Sequence, residues 1–204
     1  MTTLGIDFDN TIVEYSKIFY EIALEKGYIN QTIGRDKNSV RDYMNSNHLK
    51  SEFTEMQGEI YGKELKRAKP YRNAIETIVD LSGINELDIH IISHKTKYPI
   101  AGPQYDLHEA AMNWLIDNGL TSQRDAPIKI ENIHFCETKT NKIERIEEVK
   151  CNVFIDDLES ILDAISNKVE RVHFAPKGEG QKSNYKVMQE WDSVFLKKLM
   201  GKDG

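Results

Sequence analysis

Two carboxylates at alternate positions follow an apolar segment near the start of the chain. The segment LGIDFDNT occupies residues 4–11. Because residues two apart in a strand point to the same side, Asp7 and Asp9 can face one pocket at the strand's end. Placing anions close together costs free energy unless a cation or a phosphoryl group interacts with them. Turn formation and helix capping explain Asn10 and Thr11, but they do not explain two carboxylates after a buried strand.

Polar residues also follow two later apolar segments. Ser93 ends the β-branched run 87–93, and Asp156 and Asp157 follow the apolar run 151–155. Runs of this kind are typical of buried strands. In parallel sheets, ligands bind at the carboxyl ends of the strands. The three strand ends together therefore predict one site with phosphate or cation chemistry.

These residue types suit phosphoryl transfer. Asp7 as a nucleophile would form an aspartyl phosphate, and Asp9 could protonate the leaving oxygen and then deprotonate water. Attack on an anionic phosphate needs charge neutralisation, which Mg²⁺ held by Asp7 and Asp156 would supply. Ser93 could donate to a phosphate oxygen, and Lys142 would add positive charge against the developing anion.

Each of these residues also has an ordinary structural interpretation. A lone Ser after a strand is usually a turn or cap residue, and a lone Lys near a helix start is usually solvated. The Asp156-Asp157 pair could be a helix N-cap with favourable dipole charge. The joint occurrence of these residues, in order and at strand ends, favours the site.

The chain pattern alternates strands and helices, which predicts a Rossmann-like parallel α/β sheet with helices on both faces. The stretch 14–69 has helical periodicity and little strand signal, so we predict a helical cap inserted after the first strand. The core would then comprise residues 1–13 and 70–204. Pro70 is expected to open a helix, and a final amphipathic helix is expected at about 185–199.

The composition indicates which class of protein the chain belongs to. The 204 residues are 39% hydrophobic and 29% charged, as in ordinary globular proteins. The sequence has no apolar run of the roughly 20 residues that span a bilayer, and it does not open with a signal segment. Its only two cysteines, Cys136 and Cys151, do not form a disulfide scaffold. We therefore expect a cytoplasmic protein without a membrane partner, and the net charge of −6 disfavours nucleic acid as a partner.

The motifs resemble those of the haloacid dehalogenase-like (HAD) phosphohydrolase superfamily. The sequence DFDNT at 7–11 is similar to its first motif, aspartate-x-aspartate-x-threonine, and IIS at 91–93 is similar to its second. Lys142 resembles the lysine motif, and VFIDD at 153–157 resembles the acidic fourth motif. The resemblance covers nearly the whole chain, with 14–69 in the position of the cap. Ser93-x-x-x-Lys97-Tyr98 is loosely similar to the deoxyribonucleotidase-like branch.

The resemblance implies roles for particular residues. Asp7 would be the nucleophile and Asp9 the acid and base. Mg²⁺ would bind the Asp7 and Asp156 carboxylates and the Asp9 carbonyl group, with Asp157 nearby. Lys142 is favoured as the active-site lysine, although Lys139 is an alternative. The dehalogenase branch of the superfamily lacks the second aspartate of the first motif, which corresponds to Asp9. Dehalogenation is therefore not expected.

Substrate-binding residues are expected in the first two motifs and near the cap. Thr11, Ser93, His94 and Lys95 are the candidates next to the reacting groups. Together with Lys97 and His108, His94 and Lys95 would form a cationic patch that binds a second anionic group on the substrate. Alternatively, these residues lie in a solvated loop. Candidates in the cap are Tyr15, Tyr20, Arg41, Tyr43, His48 and Arg67.

Three functions are consistent with these patterns. The first is a Mg²⁺-dependent phosphatase acting on a small phosphomonoester such as a nucleotide or sugar phosphate. The second is a phosphotransferase that passes the aspartyl phosphate to an acceptor other than water. The third is a non-catalytic, receiver-like module that responds to phosphate, although such modules lack a cap of this size. The sequence leaves the oligomeric state open.

Overall fold

A computed structural model describes residues 1–122, 125–178 and 184–202. Two compact units are present in these ranges. The first contains Met1–Val13, Pro70–Lys95 and the described residues from Leu115 onward, and the second contains Glu14–Lys69 and Thr96–Trp114. The sequence-based division had placed 96–114 in the core. The structure instead groups this stretch with the helical insert.

The first unit is built on a parallel sheet. In the described residues this sheet has six strands in the order β5-β4-β1-β6-β7-β8, and every neighbouring pair is parallel. A second sheet pairs β2 with β3. The strands are β1 Thr2–Ile6, β2 Val13–Glu14, β3 Lys69–Pro70, β4 Leu87–His94, β5 Ile133–Cys136, β6 Val153–Asp156, β7 Glu170–Phe174 and β8 Lys186–Met188.

Helices follow most strands, which confirms the predicted α/β fold class. The α-helices are α1 Ser16–Glu25, α2 Lys37–Ser46, α3 Lys50–Tyr61, α4 Ala74–Ser82, α5 Leu107–Asp117, α6 Lys139–Glu148, α7 Glu159–Leu162 and α8 Ser193–Leu199. Within the sheet unit, α4 packs on β4, and α6 packs on β4 and β5. Among the described helices, none has the length and apolar character required to cross a membrane.

The central strand β1 determines where the chemistry can lie. It pairs with β4 on one side and β6 on the other, with Ile6 in register with Ile91 and Ile155. Leu4 and Ile6 are fully buried. Because all three strands run in the same direction, the residues that follow them emerge at one edge of the sheet.

The second unit packs helices α1, α2 and α3 against one another. Close contacts explain why 96–114 belongs to it. The indole Nε1 of Trp114 donates a hydrogen bond to the Ala68 carbonyl at 2.9 Å. A Cβ atom at Gly58 of α3 would lie 2.6 Å from the Pro99 side chain. The loop that contains Pro99 therefore packs so close to α3 that only glycine fits at position 58.

Two local predictions were wrong. Pro70 lies in β3, and α4 begins only at Ala74. The stretch 185–199 is not one helix, because Lys186–Met188 adds the edge strand β8 and only Ser193–Leu199 is α-helical. Asp192 caps that shorter helix, since its side chain accepts from the backbone N–H groups of Val194 and Phe195.

Candidate active site

A buried lysine joins the first and fourth motifs. The Nζ atom of Lys142 lies 2.6 Å from Oδ1 of Asp7 and 2.5 Å from Oδ2 of Asp156. Lys142 is 1% exposed, and both carboxylates are also buried. Charged groups this deep in a protein require partners. The three residues, which come from the loop after β1, helix α6 and strand β6, therefore form one charge cluster.

Helix α6 places Lys142 in this cluster. The helix begins at Lys139, and the Thr138 side chain caps it by accepting a hydrogen bond from the Asn141 N–H group. Lys142 lies on the inward face of its first turn. Lys139 is exposed instead and donates to the Ser160 hydroxyl at 3.4 Å. Of the two lysines weighed from the sequence, the structure therefore brings Lys142 to Asp7.

A second buried lysine contacts the second aspartate of the first motif. Nζ of Lys95 lies 2.8 Å from Oδ2 and 3.1 Å from Oδ1 of Asp9. The Lys95 backbone N–H donates to the Cys136 carbonyl at 2.9 Å, which fixes the chain just after β4. The ammonium group also lies 5.5 Å from the centre of the Phe8 ring, within range of a cation–π interaction.

Thr11, Ser93 and His94 have different environments. The Thr11 hydroxyl donates to Oδ2 of Asp7 at 3.3 Å and is fully buried. Ser93 is 1% exposed, and its Oγ is a buried atom without a hydrogen-bond partner in the described part of the chain. Buried hydroxyls are normally paired, so an unpaired one at the end of β4 marks a place for a ligand. His94 is exposed.

Three carboxylates could hold a metal ion. Asp7, Asp156 and Asp157 each offer an oxygen, and these oxygens lie within 4.8 Å of one another. Oδ1 of Asp156 also accepts a hydrogen bond from the Leu158 N–H at 2.8 Å, which fixes that side chain. Clustered hard oxygen donors suit Mg²⁺. The donor set therefore fits the ion that the resemblance implies.

The charge cluster shifts the pKa values of its members. Burial raises the pKa of Asp7 above its ordinary value, and Asp156 and Asp9 add to this, while Lys142 opposes it. Burial and the nearby Asp7 and Asp156 raise the pKa of Asp157. Burial acts to lower the pKa of Lys142, but Asp7 and Asp156 outweigh it and the net shift is upward. Burial is thus the main cause of the raised pKa values of Asp7 and Asp157, and the neighbouring carboxylates add to it.

Two buried residues near the site were missed by sequence reasoning. The imidazole Nε2 of His173 lies 3.1 Å from the Asp157 carbonyl oxygen, and the indole Nε1 of Trp191 donates to the Thr11 carbonyl at 3.0 Å. His173 lies between the buried residues Val172 and Phe174 of β7, which was a usable signal. Nothing in the sequence connects Trp191 with Thr11, 180 positions away.

The predicted cap residues lie in the second unit. Tyr15 and Tyr20 are buried there, and Arg67 forms ion pairs with Glu21, Glu25 and Glu64. The other candidates of that unit are Arg41, Tyr43 and His48. The predicted cationic patch divides between the units, because His94 and Lys95 belong to the first, and Lys97 and His108 belong to the second.

Comparison of sequences finds a distant relative that matches over nearly its whole length. No protein-family profile matches the chain. A Bacillus cereus protein named "Putative nucleotidase" is 23% identical over 206 residues, which is 96% of this chain and 98% of that protein.

Solved structures give the same architecture. The magnesium-bound crystal structure of the "putative HAD-hydrolase YfnB" from Bacillus subtilis has a TM-score of 0.56 at 12% identity, and covers 98% of both chains. A HAD family hydrolase from Deinococcus radiodurans with bound phosphate and sodium has a TM-score of 0.53 at 13% identity, covering 99% of this chain and 96% of that one. The chain thus has the fold of the HAD-superfamily hydrolases, as its motifs predicted.

Proposed function

We propose that this protein is a Mg²⁺-dependent phosphatase that hydrolyses a small phosphomonoester through an aspartyl phosphate on Asp7. The observation that carries the proposal is the contact of Lys142 with both Asp7 and Asp156. A lysine that satisfied only one carboxylate would be an ordinary ion pair. Here it joins the two aspartates that the resemblance makes nucleophile and metal ligand.

In the first step, a carboxylate oxygen of Asp7 attacks phosphorus. The bond from phosphorus to the leaving oxygen breaks with its electron pair, and Asp9 gives that oxygen a proton. In the second step, Asp9 takes a proton from water, whose oxygen attacks phosphorus. The bond to Asp7 then breaks, which restores the carboxylate and releases phosphate.

The surrounding residues orient these groups. Lys142 and Thr11 bind opposite oxygens of Asp7, which limits rotation of the carboxylate. Lys95 contacts both oxygens of Asp9 and holds that side chain against the end of β4. The unpaired hydroxyl of Ser93 is proposed to donate to a phosphate oxygen.

Asp7, Asp156 and Asp157 would hold Mg²⁺ together with the Asp9 carbonyl group. When bound, the ion would supply the charge neutralisation that the attack of an anionic carboxylate on an anionic phosphate requires. The cluster of three carboxylates whose oxygens lie within 4.8 Å of one another supports this assignment. Lys142 alone offsets only part of its charge.

The substrate class is proposed from the comparisons and the composition. The B. cereus relative's name points to a nucleotide, and the bound phosphate of the D. radiodurans structure fits phosphate chemistry. We propose a nucleotide or sugar phosphate as the partner. The two free cysteines fit a reducing cytoplasm as the place of action.

The proposal is tested by phosphate release from a panel of nucleotide, sugar and aryl phosphates, in Mg²⁺ and in EDTA. We expect release only with Mg²⁺, and loss of release in Asp7→Asn. Lys139→Met serves as the matched control, since that lysine is exposed. Consumption of a phosphomonoester that occurs only when an alcohol acceptor is added would indicate phosphotransfer. No turnover of any substrate in the panel would contradict the proposal.

A further inference from the structure

A histidine of the neighbouring strand holds the backbone of the acidic motif. His173 lies on β7, where it is in register with Asp156 of β6. Its Nε2 atom is 3.1 Å from the carbonyl oxygen of Asp157. Because a carbonyl oxygen only accepts hydrogen bonds, Nε2 carries the proton and donates it.

The ring makes this contact from inside the protein. His173 is 6% exposed, and the Tyr185 ring packs edge-on against it at 6.3 Å. In the described residues, Nδ1 is buried without a hydrogen-bond partner, and the nearest Glu159 oxygen is 3.9 Å away. A single N–H group, directed at Asp157, is thus the polar contribution of the imidazole.

Two hydrogen bonds fix the turn that follows β6. The Asp156 side chain accepts from the Leu158 N–H, and His173 donates to the carbonyl group between these residues. The backbone between Asp156 and Leu158 is therefore held at consecutive positions. That backbone carries the two carboxylates that complete the cluster with Asp7.

We propose that His173 is a positioning residue for the Mg²⁺ site, acting through the backbone of Asp157. The inference rests on the proposed function, because it assumes that the cluster binds Mg²⁺. Partners that orient metal ligands typically contribute 10–100-fold to metal affinity. Because His173 acts through the backbone of Asp157, its effect should appear in ion binding rather than in phosphoryl chemistry.

Calorimetric titration of the full chain with Mg²⁺, without substrate, tests this role. His173→Leu keeps the bulk of the ring and removes the donor, while His173→Gln restores an N–H group at similar reach. Tyr185→Phe is the matched control, because it removes the hydroxyl that donates to Asp163 and keeps the ring against His173. All titrations are made at a temperature where circular dichroism shows each variant folded.

We expect about 10–100-fold weaker Mg²⁺ binding in His173→Leu, recovery in His173→Gln and no change in Tyr185→Phe. Binding by His173→Leu equal to wild type would overturn the positioning role alone. Absence of Mg²⁺ binding by the wild type would overturn the proposed function as well.

A measurement on the wild type covers the case in which His173→Leu does not fold. Nitrogen NMR of the histidine rings should show His173 protonated at Nε2, and the Leu158 amide signal should shift on addition of Mg²⁺. Protonation at Nδ1 instead of Nε2 would contradict the inference.

Discussion

The ammonium group of Lys95 lies within 3.1 Å of both carboxylate oxygens of Asp9. The Lys95 side chain is 2% exposed, whereas that of Asp9 is 20% exposed. The contact thus joins the end of β4 to the loop after β1 and leaves part of the Asp9 carboxylate open to solvent. It holds the proposed acid and base beside the end of β4.

Replacing Lys95 should impair catalysis without loss of the fold. In Lys95→Met the aliphatic part of the side chain is still packed, but the Asp9 carboxylate loses its contact with the buried ammonium group and can rotate. We expect kcat to fall by roughly 10–100-fold, measured with the best substrate of the panel. Lys168→Met is the control, because Lys168 is exposed and has no predicted role in the site. Equal activity of the two variants would exclude an orienting role for Lys95.

Lys142→Met should reduce both activity and stability. Removing the cation leaves Asp7 and Asp156 as buried neighbouring carboxylates without compensation, which costs about 3–5 kcal/mol. We expect kcat to fall by about 10²-fold or more and the free energy of unfolding in EDTA to fall. Lys139→Met should change neither quantity. Loss of activity in Lys139→Met comparable to that in Lys142→Met would contradict the assignment.

Gly5→Ala should destabilise the protein by about 1–3 kcal/mol. A Cβ atom at this position would lie 2.5 Å from the Phe154 ring and 2.7 Å from Sγ of Cys151, so the core would have to shift. Gly83→Ala is a matched control, because its Cβ would meet nothing closer than 3.5 Å. Urea denaturation of both variants measures the difference. A free energy of unfolding of Gly5→Ala equal to that of wild type would contradict this prediction. It would mean that β1 and β6 can move apart to accommodate the methyl group.

The two cysteines should resist modification in the native state. Burial raises the pKa of the Cys151 thiol to about 12 and also raises that of Cys136. Since the thiolate is the reactive form, we expect negligible labelling by iodoacetamide at neutral pH until the protein is unfolded. Rapid labelling of the native protein would contradict the burial of these thiols.

His134 should contribute to loss of stability in acid. Burial, with the nearby Arg145 and His90, lowers its pKa from 6.5 to about 4. Between these values the unfolded chain binds more protons than the native one, so stability falls as the pH decreases from about 6.5 to about 4. The contribution is modest because the residue is only partly buried. Melting temperatures of wild type and His134→Gln over this range should show a flatter profile for the variant; parallel profiles would contradict the shift.

The sequence was most informative where local pattern and tertiary role coincide. The short apolar runs before Asp7, Ser93 and Asp156 predicted parallel strands and therefore a common edge for these residues. Their mutual geometry then follows from strand direction. The placement of Lys142 in the first turn of α6 was predictable for the same reason, because a helix that follows a strand begins at that edge.

Other features depend on contacts that local patterns do not encode. The spacing of Trp191, Phe195 and Leu199 suits a helix, yet 186–188 pairs with β7 because the sheet edge offers hydrogen bonds. The grouping of 96–114 with the insert depends on the close approach at Gly58. The partners of Asp9 and of the Asp157 carbonyl are distant in sequence.

The central claim is that Asp7 carries a phosphoryl group during turnover. Asp9→Asn should retain attack by Asp7 and lose the activation of water. After brief incubation with Mg²⁺ and an aryl phosphate, followed by acid quenching, mass spectrometry of peptides should find a phosphoryl group on Asp7. The double variant Asp7→Asn/Asp9→Asn should carry none. Phosphate release by wild type without any phosphoryl group trapped on Asp7, or a phosphoryl group found on another residue, would contradict the account.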